Sequence, residues 1–281
     1  MKYGLDVSTA AEYSDPRVLA DLAVQAEATG WDGFFVWDVV YSENQPILPV
    51  ADPWIALAAT ATKTERIRIG VLHTPLARRH PWKVARETVT LDHLSQGRLI
   101  VGAALGYQAL EFTPFGQTAD PRVRAEKLDE GLAIVSGLWT GEPFTFHGKH
   151  YDVQDAQLLP RPFQSPRIPI WVGGYWPNPR PFKRAACWDG VYPGTEKANG
   201  EPMTLEDFKA LVAYVQAQRD HSGPFDIAIG GTTPPDMDKG SEIVEPYRQA
   251  GATWWVEVIN SSVGSFADMR HRVASGPPGP R

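Results

Sequence analysis

Few reactive side chains in this sequence stand in company that would let them act. The seven histidines are scattered, and the densest group, His147-Gly148-Lys149-His150, has no paired carboxylates beside it, so no metal site is expected. His73 is the best placed. It follows an apolar run that ends at Leu72 and precedes Thr74-Pro75. From a pocket floor its ring can donate a hydrogen bond to a ligand ring or substrate, or it can bond to neighbouring backbone and take no part in chemistry. Asp38 closes the run GFFVWD. It is a candidate catalytic carboxylate, with capping of the next helix or pairing with Arg78 or Arg79 as the alternative. Gly173-Gly174 allows backbone N–H groups to approach an anion just before a helix start, and Arg180, Lys183 and Arg184 add positive charge nearby. Read without further context, those glycines form a turn and the cations a solvated face. The lone Cys187, between Ala185-Ala186 and Trp188, reads as a small buried hydrophobe with no histidine base at hand.

What must position these groups is a regular alternation of short β-rich runs with longer helical periods. Tyr3 to Val7 reads as a first strand, followed by a helix from about Asp15, with Pro16 at its first position and Gly30 at its end. Gly33 to Val40 is a continuous apolar strand of the doubly buried kind, and Asp52-Pro53 opens a helix running to about Lys63. Arg66 to Leu72 is a third strand. Pro81 to Leu94 is an amphipathic helix with Val84, Val89, Leu91 and Leu94 near helical spacing. Arg98 to Ala104 makes a fourth strand, and Pro121 to Trp139 a long helix. Residues 141–167 carry alternating aromatics (Phe144, Phe146, Tyr151) and prolines. They read as a hairpin-bearing insertion in a βα connection, too short for its own core. Strands follow at Ile168 to Val172, Gly190 to Tyr192, Phe225 to Gly230 and Thr253 to Ile259. The intervening helices are Leu205 to Arg219 and Ser241 to Ala250, with a last helix from about Ser265 to Val273. The glycine- and proline-rich tail, 276–281, is expected to fray.

Eight strands alternating with helices predict a single-domain α/β protein, a (β/α)8 barrel or an open doubly wound sheet. No GxGxxG follows the first strand, which favours the barrel. Its active site then lies at the C-terminal strand ends: Asp6 and Ser8, Trp37 and Asp38, Leu72 to Pro75, Leu105-Gly106-Tyr107-Gln108, Gly173-Gly174-Tyr175, and Glu257 with Asn260. Trp37, Trp171, Trp176, Trp254 and Trp255 fall near these ends, as core packing or as flat surfaces for a planar ligand. The formal net charge of −6 argues against broad nucleic-acid binding. No apolar run reaches the ~20 residues of a membrane span, and the N-terminus shows no signal-peptide pattern. A single cysteine fits a reducing cytoplasm.

The stretch Ile67 to Gly106 (IRIGVLHTPLARRHPWKVARETVTLDHLSQGRLIVGAALG) resembles the central block of the bacterial luciferase-like monooxygenases. IPIWVGG (168–174), DGVYP (189–193), the opening YGLDV and GWDGFFVWD agree with it, so the resemblance covers nearly the whole chain. It implies a luciferase-like (β/α)8 barrel holding FMN, or alternatively the deazaflavin F420, over the strand ends. It also implies a non-prolyl cis peptide near Leu72-His73 behind the ring. On that basis Leu72, His73, Gly106, Tyr107, Gln108, Gly173, Gly174, Tyr175 and Arg180 are expected around the cofactor, with the phosphate at Gly173-Gly174. Some deazaflavin-dependent dehydrogenases of the family carry Asp-His where this chain has Asp38-Val39. Their glutamate after the fourth strand is not matched either, since Tyr107 and Gln108 follow Gly106 and Glu111 is the nearest carboxylate. Cys187 replaces a usual arginine. These departures favour a reduced-FMN, oxygen-using monooxygenase acting on a small hydrophobic or aromatic substrate. F420-dependent hydride transfer and a non-catalytic flavin-binding protein are the alternatives. A separate reductase and a second copy of the chain are the expected partners.

Overall fold

The computed structural model describes residues 1–40, 47–194, 203–220 and 223–279. In chain order the elements are β1 (Lys2–Val7), α1 (Pro16–Thr29), β2 (Gly33–Val36), α2 (Pro53–Lys63), β3 (Arg68–Pro75), α3 (Pro81–Leu94), β4 (Leu99–Ala104) and α4 (Pro121–Leu138). There follow β5 (Phe144–His147), β6 (Asp152–Ala156), β7 (Ile170–Tyr175), α5 (Pro179–Ala185), β8 (Gly190–Gly194) and α6 (Leu205–Gln218). The last four are β9 (Asp226–Gly231), α7 (Met237–Gln249), β10 (Trp254–Ile259) and α8 (Phe266–Ala274). Eight parallel strands close in the order β1-β10-β9-β8-β7-β4-β3-β2, while β5 and β6 form a separate antiparallel hairpin. The expected (β/α)8 barrel is therefore present, and no described helix is long and apolar enough to cross a membrane.

Local chemistry explains the helix starts. At α1, α2, α4 and α5 an Asx residue (Asp15, Asp52, Asp120, Asn178) accepts a hydrogen bond from a first-turn N–H, and a proline follows at the first helical position. The side chain satisfies an orphan donor while the ring fixes φ. α7 starts at Met237, earlier than the hydrophobic period suggests, because Asp236 caps it by accepting from Asp238 and Lys239 N–H.

The barrel interior is closed by rings. Phe35, Trp171 and Trp254 contact one another at centroid distances of 5.4–5.8 Å, and Leu72, Ile100, Tyr192, Ala228 and Val256 complete this inner cluster. Room for the rings comes from glycines. A Cβ on Gly33 would lie 2.6 Å from Phe35, and one on Gly190 would lie 2.5 Å from Trp171. Trp171 and Trp254 thus serve the plug. Trp255 packs outward against Tyr247, and Trp176 against Phe182 and Tyr214, so of the five tryptophans singled out above only Trp37 reaches the strand-end cavity.

β3 carries a bulge. Val71 pairs with Val101 and Thr74 with Ala103, so two residues of β3, Leu72 and His73, face one of β4, Gly102. Gly102 makes this possible, since a Cβ there would lie 2.0 Å from the Leu72 carbonyl oxygen. The expected cis peptide at Leu72-His73 is not found. The cis bonds among the described residues all precede proline (Leu159-Pro160, Ser165-Pro166, Trp176-Pro177), and the bulge alone turns His73 inward.

The insertion also sits elsewhere than expected. It follows α4 and precedes β7, an αβ connection, which puts it at the N-terminal face, remote from the strand-end loops. The LDHLSQGRL block holds it there. Asp92 accepts hydrogen bonds from Gln164 N and Nε2, and the His93 ring bonds to the Arg161 carbonyl. The tail does not fray over its described part. Gly276, Pro278 and Gly279 are buried, and Arg272 donates to the Gly276 carbonyl at 2.7 Å. Pro280 and Arg281 lie outside the described residues.

Arg98, just before β4, is a buried cation whose hydrogen bonds among the described residues all go to backbone carbonyls and a threonine hydroxyl. Its Nε donates to Ser95 O (2.8 Å), Nη1 to Thr64 Oγ1 and Ile67 O (2.8 and 3.1 Å), and Nη2 to Ala61 and Thr64 O (both 2.9 Å). It ties the C-terminal end of α2 to the starts of β3 and β4. Arg98→Leu strands these buried acceptors and is expected to destabilise the fold by at least about 3 kcal/mol in urea denaturation, since each unpaired buried group costs ~1–3 kcal/mol. Ligand affinity at the opposite end should be unchanged.

Candidate functional site

Above the aromatic plug the C-terminal strand ends open into a cavity of about 800 Å³. This is within the ~300–1,000 Å³ typical of small-molecule sites. Val36, Val50, Pro75, Leu105 and Val258 give it apolar walls, and polar groups enter at a few points. A shallower depression of about 440 Å³ at the N-terminal face, formed by Met1, Lys2, Asp226, Arg248, Ala252 and Thr253, lies away from these groups.

Of the residues the sequence singles out, Asp38, His73, Gly106, Tyr107, Gln108, Gly173, Gly174 and Tyr175 line the cavity. Leu72 does not. The first of the two bulged residues, it points into the inner cluster and is 1% exposed. Arg180 is exposed on α5 and outside the cavity, and Arg184 is ion-paired to Asp129. The expected cationic phosphate cradle is therefore not assembled from α5, because that helix turns its basic side chains outward and seats Pro181 and Phe182 inward. Gly173 and Gly174 are there for close packing: a Cβ on Gly173 would lie 2.3 Å from the His73 ring, and one on Gly174 would lie 2.2 Å from Pro181. Cys187 is exposed at the end of α5 rather than buried. Glu257 faces away from the cavity. It is buried between β10 and α8, where Arg272 Nε lies 3.3 Å from Oε1 and Thr233 donates from both N–H and hydroxyl.

The rim beside β2 is an ion network. Arg78 Nη2 donates to Asp38 Oδ1 at 2.6 Å, and Arg79 donates to both Asp38 oxygens at 2.8 and 2.9 Å. The Arg78 guanidinium also lies 3.0 Å from Glu111. Asp38 is therefore fully engaged, which is the pairing alternative read from the sequence, and its own carboxylate is not free for acid–base work. Burial pushes the Glu111 carboxyl up, opposed by Arg78 and a hydrogen bond from the Val40 backbone. Arg124, from α4, does reach the cavity. It stacks over Phe112 at 4.7 Å and donates to the Gly106 carbonyl at 3.3 Å. At the mouth Tyr107 and Tyr175 approach each other at 5.8 Å.

The floor brings together three side chains from three strands. His73 lies 5.0 Å from the Tyr192 ring, and burial pushes its imidazole down to about 4, opposed by a hydrogen bond to the Tyr192 backbone. At neutral pH it is thus a neutral ring, able to donate from one nitrogen and accept at the other. The backbone bond of the second sequence reading is present, and the ring also borders the cavity. Tyr192 Oη donates to Asp6 Oδ2 at 3.2 Å, and Asp6 is 7% exposed. Burial pushes the Asp6 carboxyl up to about 7, held back by hydrogen bonds from Trp37 and Tyr192. Asp6 and Asn260 are on the strand-end list, but nothing in their neighbours marks them. Tyr192 and Arg124 carry no local signal, since one sits mid-strand and the other in an ordinary helical period.

Comparisons with known proteins agree with this architecture. The family described as luciferase-like monooxygenase matches residues 2–255. The F420-dependent glucose-6-phosphate dehydrogenase of Microbacterium testaceum is 33% identical over 180 residues, 63% of this chain and 52% of that protein. The chain thus spans about half the length of the curated relatives it matches. Among solved structures, the coenzyme F420-dependent tetrahydromethanopterin reductase from Methanopyrus kandleri superimposes with a TM-score of 0.77 at 17% identity, over 98% of this chain and 97% of that one. The oxygenating constituent of 3,6-diketocamphane monooxygenase from Pseudomonas putida, in complex with FMN, gives 0.68 at 19% identity over 87% and 71%. With a closed eight-stranded barrel, a strand-end cavity and a family match across most of its length, the chain belongs to the luciferase-like monooxygenase family.

Proposed function

We propose that the protein is an F420-dependent oxidoreductase that transfers a hydride between the deazaflavin and a small organic alcohol or carbonyl compound. The observation that carries this is the 33% identity to the F420-dependent dehydrogenase over 180 residues. It favours the deazaflavin over the FMN and oxygen chemistry expected from the missing Asp-His pair. The cavity suits either heterocycle: it is large enough for a fused ring and apolar on its walls.

In this reading Gly106, Tyr107, Gln108, Gly173, Gly174 and Tyr175 surround the cofactor, and Arg124 takes the place of Arg180 as the nearby cation. His73 offers a neutral hydrogen bond from the floor. When bound, the deazaflavin supplies the hydride chemistry. The chain's own work is to exclude water with its apolar walls, orient the substrate, and keep the Asp38–Arg78–Glu111 network closed at the rim. Val39 stands where related dehydrogenases carry histidine, so a sugar phosphate is not carried over from the relatives as the substrate. Exchange of reduced cofactor with a separate reductase, and pairing of two chains, belong to the same proposal.

Equilibrium titration monitored by fluorescence should give micromolar or tighter binding of F420, at least tenfold tighter than FMN. The reverse order would place the protein with the FMN enzymes, and no binding of either would end the reading. Gly173→Val forces the His73 ring out of its seat. It should weaken F420 binding at least tenfold, ~1.4 kcal/mol, while the circular dichroism spectrum stays that of the wild type.

A further inference from the structure

Asp6 is a costly residue to place where it is. It sits at the end of β1 with its side chain turned toward the cavity floor, 7% exposed, and its Oδ1 is fully buried without a hydrogen-bond partner in geometric range. An ionised carboxylate in such surroundings is disfavoured unless paired. Among the described residues no cation pairs with it. From β8, Tyr192 donates its hydroxyl to Oδ2. From β3, His73 is neutral. Beyond β2, the Trp37 indole approaches the carboxyl, and the next acid, Asp38, is closed by Arg78 and Arg79. From β10, the register partner of Asp6 is Val258, while Glu257 points outward to Arg272. β9 contributes Gly230, where a Cβ would lie 2.6 Å from Tyr192 Oη, so the glycine clears the space through which that hydroxyl reaches Asp6. Tyr192 fixes one carboxyl oxygen, the other is buried beneath the cavity floor without a geometric partner among the described residues, and the residue itself borders the cavity.

We propose that Asp6 binds the ligand as a neutral acid, its carboxyl donating a hydrogen bond to an acceptor atom, a carbonyl oxygen or unprotonated ring nitrogen, on the heterocycle seated above the floor. The inference rests on the cofactor reading of this cavity. A carboxylic acid kept neutral by an apolar site can donate where a carboxylate could only repel an electron-rich acceptor. Burial pushes the carboxyl of the free protein up to about 7. Covering it with a ring removes what solvent contact remains, so ligand binding above that pH takes up a proton.

The test is the F420 dissociation constant of the intact protein, measured from pH 5.5 to 9. In the wild type it should be level on the acid side and rise above neutrality toward tenfold per pH unit. Asp6→Asn, which mimics the neutral acid in shape, should hold a level affinity across the range. Tyr192→Phe removes a hydrogen bond that favours the charged form, so its break should move to higher pH. A break that survives in Asp6→Asn belongs to the ligand or to another group and overturns the proposal, as does a level wild-type profile. Binding that is intact but independent of Asp6 leaves the cofactor reading standing, whereas failure to bind F420 and FMN at every pH overturns both. The ligand-free protein provides a second readout. Because the folded value lies above the unfolded one, wild-type stability should decline relative to Asp6→Asn as pH rises from about 4 to about 7. An unchanging difference over that interval also overturns the proposal.

Discussion

The structure depends on a steric exchange inside the barrel, in which large rings occupy the space that glycines vacate. Phe35, Trp171 and Trp254 fill the interior below the cavity, and Gly4, Gly33 and Gly190 are the positions where a Cβ would strike them. Eight strands leave an interior only wide enough to be filled by side chains. Three aromatics can fit only if neighbouring inward positions carry none. With the lower barrel sealed, solvent and ligand reach the interior from the C-terminal end alone, and the residues just above the plug become the floor of the site.

The same exchange shapes the floor. Gly102 gives way to the Leu72 carbonyl, β3 bulges, and His73 turns into the cavity while Leu72 stays below it. Gly173 accommodates the His73 ring and Gly230 the Tyr192 hydroxyl. His73 and Tyr192 thus occupy space left by a missing side chain on another strand, and the Tyr192 hydroxyl in turn holds Asp6. The rim follows the opposite principle. Asp38, Glu111, Arg78 and Arg79 neutralise one another within hydrogen-bonding distance, and in doing so they join the loops after β2, β3 and β4.

The segment that reads most distinctively in the sequence, LDHLSQGRL, proves to be structural. Asp92 and His93 hold the insertion, and Arg98 gathers carbonyls from the turns that lead into β3 and β4, all at the face opposite the cavity. In a (β/α)8 barrel that face carries stability and the other carries chemistry. A motif can therefore identify the family correctly and still contain none of the residues that meet the ligand.

The sequence by itself determined the alternation of strands and helices, and hence the barrel, because hydrophobic period, Asx-Pro helix starts and glycine stops are local signals. It also determined which strand ends face the cavity, so Asp38, His73, Gly106 to Gln108 and Gly173 to Tyr175 were legible as its lining. Tertiary structure decided what those residues do there. Whether Asp38 is free or paired depends on arginines forty residues away. Whether Leu72 or His73 looks upward depends on one extra residue in β3. Whether a cation comes from Arg180 or Arg124 depends on which face of each helix the barrel covers. Asp6 acquires its character only when Tyr192, from the far side of the chain, closes over it and water is excluded. Burial and partnership arise between strands, and no local pattern in the sequence records them.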